Sequence, residues 1–178
     1  MKKIILQELG VDDAQALLQI NIDNKEYFEN WMPLKPDASY YSLQGQLDKI
    51  ESIYQKSKND ECYSFGIFLE ESKTLIGNVS FYFVQRGPHQ SCMVGYQIAE
   101  KYTGKGYATK AVSLSLEIAF KKLHFHRVRA EAQPENKGSI RVLEKAGLTR
   151  EGYARKNLKV NDEWRDNICM AILSEDKY

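Results

Sequence analysis

The 178-residue chain has only three cysteines, four prolines and two tryptophans, and almost no excess of charge of either sign. Cys62, Cys92 and Cys169 form no CxxC pair, and an odd number cannot all be bridged within one chain. A reduced cytoplasm is the setting such cysteines suit. No proline-rich or glycine-rich linker, repeat or low-complexity tract divides the sequence, so a single domain over residues 1–178 is expected. Lys plus Arg number 25 against 24 Asp plus Glu, a formal net charge of +1. Without a basic excess or stripe, nucleic acid is not an expected partner. No apolar run approaches the roughly 20 residues of a membrane span, and Glu8 interrupts the first short apolar patch, unlike a secretory signal. Histidine is scarce too. His124 and His126 lie two apart at a strand start, but no further ligand sits near them in sequence, and no metal is expected. His89, after Gly87-Pro88, reads as an exposed loop residue.

What the chain does have is 43% hydrophobic and 11% aromatic residues, enough for a sizeable core. Ile4 to Leu9 reads as a strand. Asp12 reads as a helix cap, with Val11, Ala14, Leu17, Leu18 and Ile22 at helical spacing. Asn24 to Ala38 breaks both periods and is expected to be an ordered loop, because Tyr27, Phe28 and Trp31 favour burial. Ser39 is placed to cap a second helix with Tyr40, Leu43, Leu47, Ile50 and Tyr54 on one stripe. Period two then takes over. Cys62 to Glu70 and Thr74 to Arg86 flank a polar turn, predicting an antiparallel hairpin whose second arm has Leu75, Gly77, Val79, Phe81 and Phe83 on one face. Cys92, Val94, Tyr96 and Ile98 mark another strand, with Cys92 and later Cys169 as small core residues. A long helix follows from Thr103 to about Leu123, then a strand at Arg127 to Gln133 and a helix from about Lys137 to the C′ glycine Gly147. Two closing strands, about 150–160 and 163–173, are joined by Asn161-Asp162. The order predicts an α+β fold, a mixed sheet covered by helices.

The strongest local signal is VGYQIAEKYTGKGYATKA, residues 94–111. A strand runs into Gly104-Lys105-Gly106, which opens a helix whose first N–H groups are unpaired at the positive end of the dipole. Phosphate or pyrophosphate suits such a turn, although a tight strand-to-helix turn without a ligand uses the same glycines. A Walker A loop is excluded, since Gly106 follows Gly104-Lys105 and no glycine lies five residues earlier. A dinucleotide fingerprint is excluded by Thr109 in place of the third glycine. The second signal is QPENKGSIRVLEKAGLTREGYAR, residues 133–155, where Asn136 and Ser139 stand at a helix start. Plain capping explains both residues. Together, however, the two signals would converge at one edge of one sheet.

Their combination resembles the GNAT (GCN-five-related) N-acetyltransferases, and within them the RimJ/RimL-like branch that acetylates protein N-termini. Lys101-Tyr102-Thr103-Gly104-Lys105-Gly106 is similar to the family's Q/R-x-x-G-x-G/A pyrophosphate loop. Pro134-Glu135-Asn136 with Ser139, Leu143-Glu144-Lys145 and Gly147 resembles its later signature. Glu151 to Arg155 and Trp164-Arg165-Asp166 resemble its closing hairpin. The match runs in register over about residues 92–173, and the first half agrees in the order of elements. Three departures stand out: Lys101 for the usual Gln or Arg, Leu148 after Gly147 in place of Phe, and Leu143 where many members carry an acidic tyrosine.

The resemblance implies a mostly antiparallel, three-layer sheet of about seven strands with about four helices. It also implies acetyl transfer from acetyl-CoA to a primary amine by direct attack. The diphosphate would sit on N–H groups from Gly104 through Lys105, Gly106, Tyr107 and Ala108 to Thr109, with Lys101 beside them and Lys105 a candidate for the 3′-phosphate. The pantetheine arm would pair with Tyr96, Gln97 and Ile98 as an added strand. The N–H of Ile98 or Ala99 would polarise the thioester, and Asn136 would hold the arm's amide. Ser139 is either the acid for the leaving thiolate or only a cap. Glu131 and Glu151 are the candidate bases, each also readable as a solvated surface carboxylate. An α-amino group, with a pKa of about 7.7–8.0 against about 10.4 for lysine, needs only a weak base. Tyr27, Glu29 and Trp31, with Glu26 and Asp37, are candidates for the acceptor site. The acceptor would be a protein N-terminus or a small amine such as a polyamine, amino sugar or antibiotic. A non-catalytic CoA-binding module, and a monomer or homodimer, remain open.

Overall fold

The computed structural model describes residues 2–177. Its seven strands are β1 (Ile4–Glu8), β2 (Tyr63–Leu69), β3 (Leu75–Gln85), β4 (Ser91–Ile98), β5 (Arg127–Ala132), β6 (Thr149–Val160) and β7 (Glu163–Leu173). Five α-helices accompany them: α1 (Ala14–Asp23), α2 (Lys25–Glu29), α3 (Leu43–Lys58), α4 (Tyr107–Lys121) and α5 (Lys137–Lys145). The strands form one sheet in the order β1-β2-β3-β4-β5-β7-β6, antiparallel everywhere except between β4 and β5. α4 and α5 cover one face over a core built around Ile76, Val79, Phe81, Val112, Leu116 and Val128. On the other face α1 and α3 bury Ala14, Leu17 and Ile50 against Phe68 and Leu75. The expected α+β, three-layer plan is the observed one.

Several local expectations are corrected. The extra helix α2 lies inside the segment 24–38 and buries Phe28. α3 starts at Leu43 under a Ser42 cap, whose Oγ accepts from Gly45 N, while Ser39 belongs to a short 3-10 turn capped by Asp37. Gly10, and not Asp12, precedes the first turn, and Asp13 accepts its N–H at 2.9 Å. Val11 and Ile22 are exposed, so the apolar stripe of α1 narrows to Ala14, Leu17 and Leu18. β3 does not keep one face throughout. Ile67 pairs with Gly77 but Phe68 pairs with Leu75, so Ile76 is an extra, bulged residue. The bulge sends Leu75 to the α1/α3 side and Ile76 to the α4 side. A second irregularity, with Phe83 at φ 51°, turns Phe83 outward to 67% exposure. The C-terminal end of α5 closes as expected: Leu148 N donates to the Leu143 carbonyl and Gly147 N to that of Glu144, with Gly147 at φ 104°. Asn161 and Asp162 both have positive φ, the mirror-image turn that joins twisted strands without splaying them.

Candidate active site

β4 and β5 run parallel but pair over only three residues, Ser91 to Met93 against Arg127 to Arg129. Beyond Met93 they separate, and a cavity of about 1040 Å³ opens between them. Backbone register decides what lines the gap. Ala99 N donates to the Ile76 carbonyl at 2.9 Å. In an antiparallel ladder the exchanging pairs alternate, so Gln97, Gly95 and Met93 are the β4 residues whose backbone groups face β3. Those of Val94, Tyr96 and Ile98 point away from β3; the Val94 N–H closes the last parallel pair with β5, and the Val94 carbonyl and the backbone groups of Tyr96 and Ile98 face the gap with no ladder partner. Of the two N–H groups expected to polarise a carbonyl, that of Ile98 is available and that of Ala99 is already spent. Gln97 lines the cavity although its backbone is committed to β3.

At one end of the gap lies the start of α4. Lys110 N is the first to bond back, to the Gly106 carbonyl at 3.1 Å, which leaves the N–H groups of Tyr107, Ala108 and Thr109 without helical partners. Gly104 (φ 69°) and Gly106 (φ 82°) form the turn before them. A Cβ added at Gly104 would meet nothing within 4 Å, so the turn opens outward as a bare backbone cup. Gly104, Gly106, Tyr107, Ala108 and Thr109 all line the cavity; Lys101 and Lys105 do not. Lys105 Nζ instead donates to the Lys101 carbonyl at 2.6 Å, and both ammonium groups lie over the Tyr102 ring.

The start of α5 borders the same gap. Asn136 Oδ1 accepts from Ser139 N at 3.0 Å, so Asn136 is the cap and the Ser139 hydroxyl is not needed for it. That hydroxyl meets Tyr96 Oη at 3.0 Å across the gap. Burial pushes the Tyr96 phenol up to about 12, against the lowering effect of the Ser139 hydrogen bond. Leu143, one turn further on, is buried apolar wall.

On the opposite face of the sheet the cavity is lined by Tyr82, Phe83, Glu131, Asn157, Leu158 and Asn167, with Tyr27, Trp31, Met32 and Pro33 from the segment after α1. Asn157 Nδ2 donates to Glu131 Oε2 at 2.7 Å. Burial, then the charge of Glu131, raises the Tyr82 phenol. Asn167 is 2% exposed and its Oδ1 has no partner. Tyr27 and Trp31 therefore reach the site, but Glu29, which accepts from Tyr41 Oη at 2.8 Å, Glu26 and Asp37 are not among the lining residues. Glu151 is likewise outside it, paired with Arg127. Burial pushes the Cys92 thiol up to about 12, which makes it inert as a nucleophile. Sequence reasoning missed Tyr82, Phe83, Asn157 and Asn167 as lining residues and Tyr96 as a side chain of the site. The strand alternation that pairs Tyr96 with Val94 and Ile98 was a usable signal. None existed for Asn157 and Asn167, which arrive through a bulged hairpin register between Ala154 and Leu158.

One support joins the two ends of the site. Asn24 Nδ2 donates to the Ile20 carbonyl, and Asn24 Oδ1 accepts from Glu100 N at 2.8 Å, tying the segment that carries Tyr27 to the turn before Gly104. Among the described residues no helix is long and apolar enough to cross a membrane, and no three His, Cys, Asp or Glu side chains are grouped to hold a metal.

Comparison with known proteins agrees with this geometry. Residues 3–149 match the model of the acetyltransferase (GNAT) domain. A probable N-acetyltransferase of Bacillus subtilis (strain 168) is 41% identical over 175 residues, covering 98% of this chain and 96% of its own. The ribosomal protein uS5-alanine N-acetyltransferase of Escherichia coli (strain K12) is 30% identical over 174 residues, covering 98% of this chain and 89% of its own. The structure of Mycobacterium smegmatis RimJ in complex with CoA-disulfide superposes with a TM-score of 0.92 at 26% identity, covering 98% of this chain and 83% of that one. With a parallel strand pair that splays beside a bare helix start, and a family model spanning most of its length, the chain belongs to the GNAT acetyltransferase family.

Proposed function

We propose that this chain transfers the acetyl group of acetyl-CoA to the N-terminal α-amino group of a protein. The observation that carries the choice of acceptor is the acid content of the cavity: Glu131 is the one carboxylate among the described residues that line it. A polyamine carries several cations and calls for several carboxylates, whereas one α-amine beside a short apolar side chain needs one. Tyr27, Trp31, Met32, Pro33 and Phe83 supply the apolar wall for the residue that bears the amine. The uS5-alanine acetyltransferase among the relatives supports the same reading.

For the donor, the fit rests on the cup at Gly104 and the unpaired edge of β4. N–H groups from Gly104 to Thr109 would hold the diphosphate at the positive end of α4. The Val94 carbonyl and the backbone of Tyr96 and Ile98 would pair with the amide-bearing arm as a neighbouring strand, and Asn136, whose Oδ1 is engaged, has Nδ2 left to donate to it. When bound, acetyl-CoA supplies an activated acetyl carbon and a thiolate leaving group. The N–H of Ile98, or of Tyr96 one pleat deeper, stabilises the carbonyl oxygen as it takes up charge. Glu131 accepts the amine proton directly or through a water, held in place by Asn157. Ser139 Oγ donates to the sulfur. An α-amine suits this modest base, because part of it is already neutral at pH 7.

Thiol release from acetyl-CoA tests the reading against three acceptor sets: peptides with N-terminal Ala or Ser, polyamines, and amino sugars. Turnover on the peptides with a preference of at least about tenfold in kcat/KM is expected. Equal or better turnover on spermidine refutes the acceptor class, and CoA binding without turnover on any amine refutes catalysis.

A further inference from the structure

Leu143 on α5 is buried apolar wall and offers no proton to the cavity. Ser139 and Leu143 are one turn apart on α5 and so lie on the same side of the helix. The hydroxyl beside Ser139 comes from Tyr96 on β4, whose Oη is 3.0 Å from Ser139 Oγ and 3.4 Å from the Ser139 carbonyl. Tyr96 is also in the unpaired stretch of β4, so its backbone N–H and its phenol both border the gap. Ser139 Oγ is free of capping work because Asn136 does it.

We propose that Tyr96 and Ser139 work as one hydroxyl pair that delivers the proton to the leaving sulfur. This rests on the acetyl-transfer reading above. As the carbon–sulfur bond breaks, its electron pair stays on sulfur, and the Ser139 Oγ–H hydrogen passes to it to form the thiol. The Tyr96 Oη–H hydrogen passes to Ser139 Oγ in the same movement, and a solvent proton arriving through the cavity mouth replaces it on Tyr96 Oη. That uptake is matched by the proton the amine gives up, which leaves by Glu131 on the other face. The phenol, raised by burial, is protonated at neutral pH, and the same burial disfavours a lasting phenolate, so its proton has to be replaced from solvent as it leaves. An isolated serine hydroxyl is a weak acid; one backed by a phenol has a second donor to take up its charge.

The test uses Tyr96→Phe, Ser139→Ala and the double variant of the full chain, with two readouts. The first is binding of CoA and of desulfo-CoA by calorimetry, which involves no turnover. In the wild type, CoA is expected to bind about three- to tenfold tighter than desulfo-CoA, the worth of one hydrogen bond at sulfur. That preference should shrink toward unity in Ser139→Ala and in Tyr96→Phe. The second is the single-turnover rate in mixtures of light and heavy water. The wild type should give a bowed dependence from two protons in transit, and Tyr96→Phe a straight line with a rate about 10- to 100-fold lower. The double variant should be no slower than Ser139→Ala alone. Variants that lose affinity for CoA and desulfo-CoA equally, or a Tyr96→Phe rate equal to wild type, overturn the pair. Wild type that binds neither compound overturns the donor site itself, a different failure.

Discussion

The bare cup before α4 yields a sharp prediction because the chain contains its own control. Gly104 has φ 69° and Gly87 has φ 62°, and a Cβ built at either meets nothing within 4 Å. Gly104→Ala and Gly87→Ala therefore carry the same backbone strain and no packing clash. A left-handed alanine costs about 1–2 kcal/mol, which for a domain of this size lowers Tm by about 2–8 °C. Both variants should show that loss. They should differ in binding. Gly87 lies in the loop between β3 and β4, away from the cavity, whereas Gly104 lines it, beside the N–H groups proposed to hold the diphosphate, where a methyl would crowd the anion. Displacing one charge-assisted hydrogen bond costs about 1.5–3 kcal/mol, or about 10- to 150-fold in Kd for CoA. Calorimetric titration with CoA, beside thermal melts of the same samples, reads both quantities. If Gly104→Ala binds CoA as Gly87→Ala does, the diphosphate is held elsewhere and the reasoning from the helix start fails.

Three further outcomes are expected. Asn136→Ala removes the α5 cap and should lower stability by about 1 kcal/mol, with a higher KM for acetyl-CoA, while Asn136→Asp, which keeps the cap, should hold its Tm. Glu131→Gln should lower kcat/KM for a peptide acceptor by at least about 100-fold, whereas Glu151→Gln should leave turnover intact, since Glu151 only pairs with Arg127 at a half-exposed site. Equal losses in the two would remove Glu131 from its role. Asp60 is held below the usual carboxylate range by its hydrogen bonds from Arg86, at 2.5 and 2.7 Å, and by Tyr63. A depressed carboxylate stabilises the fold above its unfolded pKa of about 3.9, and that stability is lost as pH falls through the folded value. Asp60→Asn should therefore be less stable than wild type in urea at pH 7, by under about 1 kcal/mol for so exposed a pair, and equal to it well below pH 4.

Much of the proposed donor half of the site was legible in the linear chain. Gly104 and Gly106 announce a left-handed turn because other residues are strained there. The Asn136-to-Gly147 interval announces a capped helix with a glycine stop. What misled was any inference that needed a face. Ser139 looked as good a cap as Asn136, and only the backbone geometry showed which side chain reaches the orphan N–H. Ile98 and Ala99 looked equivalent, and one ladder bond to Ile76 separated them. The bulge at Ile76 and the outward turn at Phe83 are invisible to a period-two count, because the count assumes an unbroken pleat.

By itself, the sequence determined the family of folds, the order of the strands and the glycine turn that opens α4, all of which follow from local spacing and from conformations that only certain residues adopt. Tertiary structure alone decided that β4 and β5 part after Met93, that Tyr96 meets Ser139 across the opening, and that Glu131 rather than Glu151 faces the cavity. Those are contacts between strands and helices far apart in the chain, set by sheet register and side-chain packing, and no local pattern encodes them.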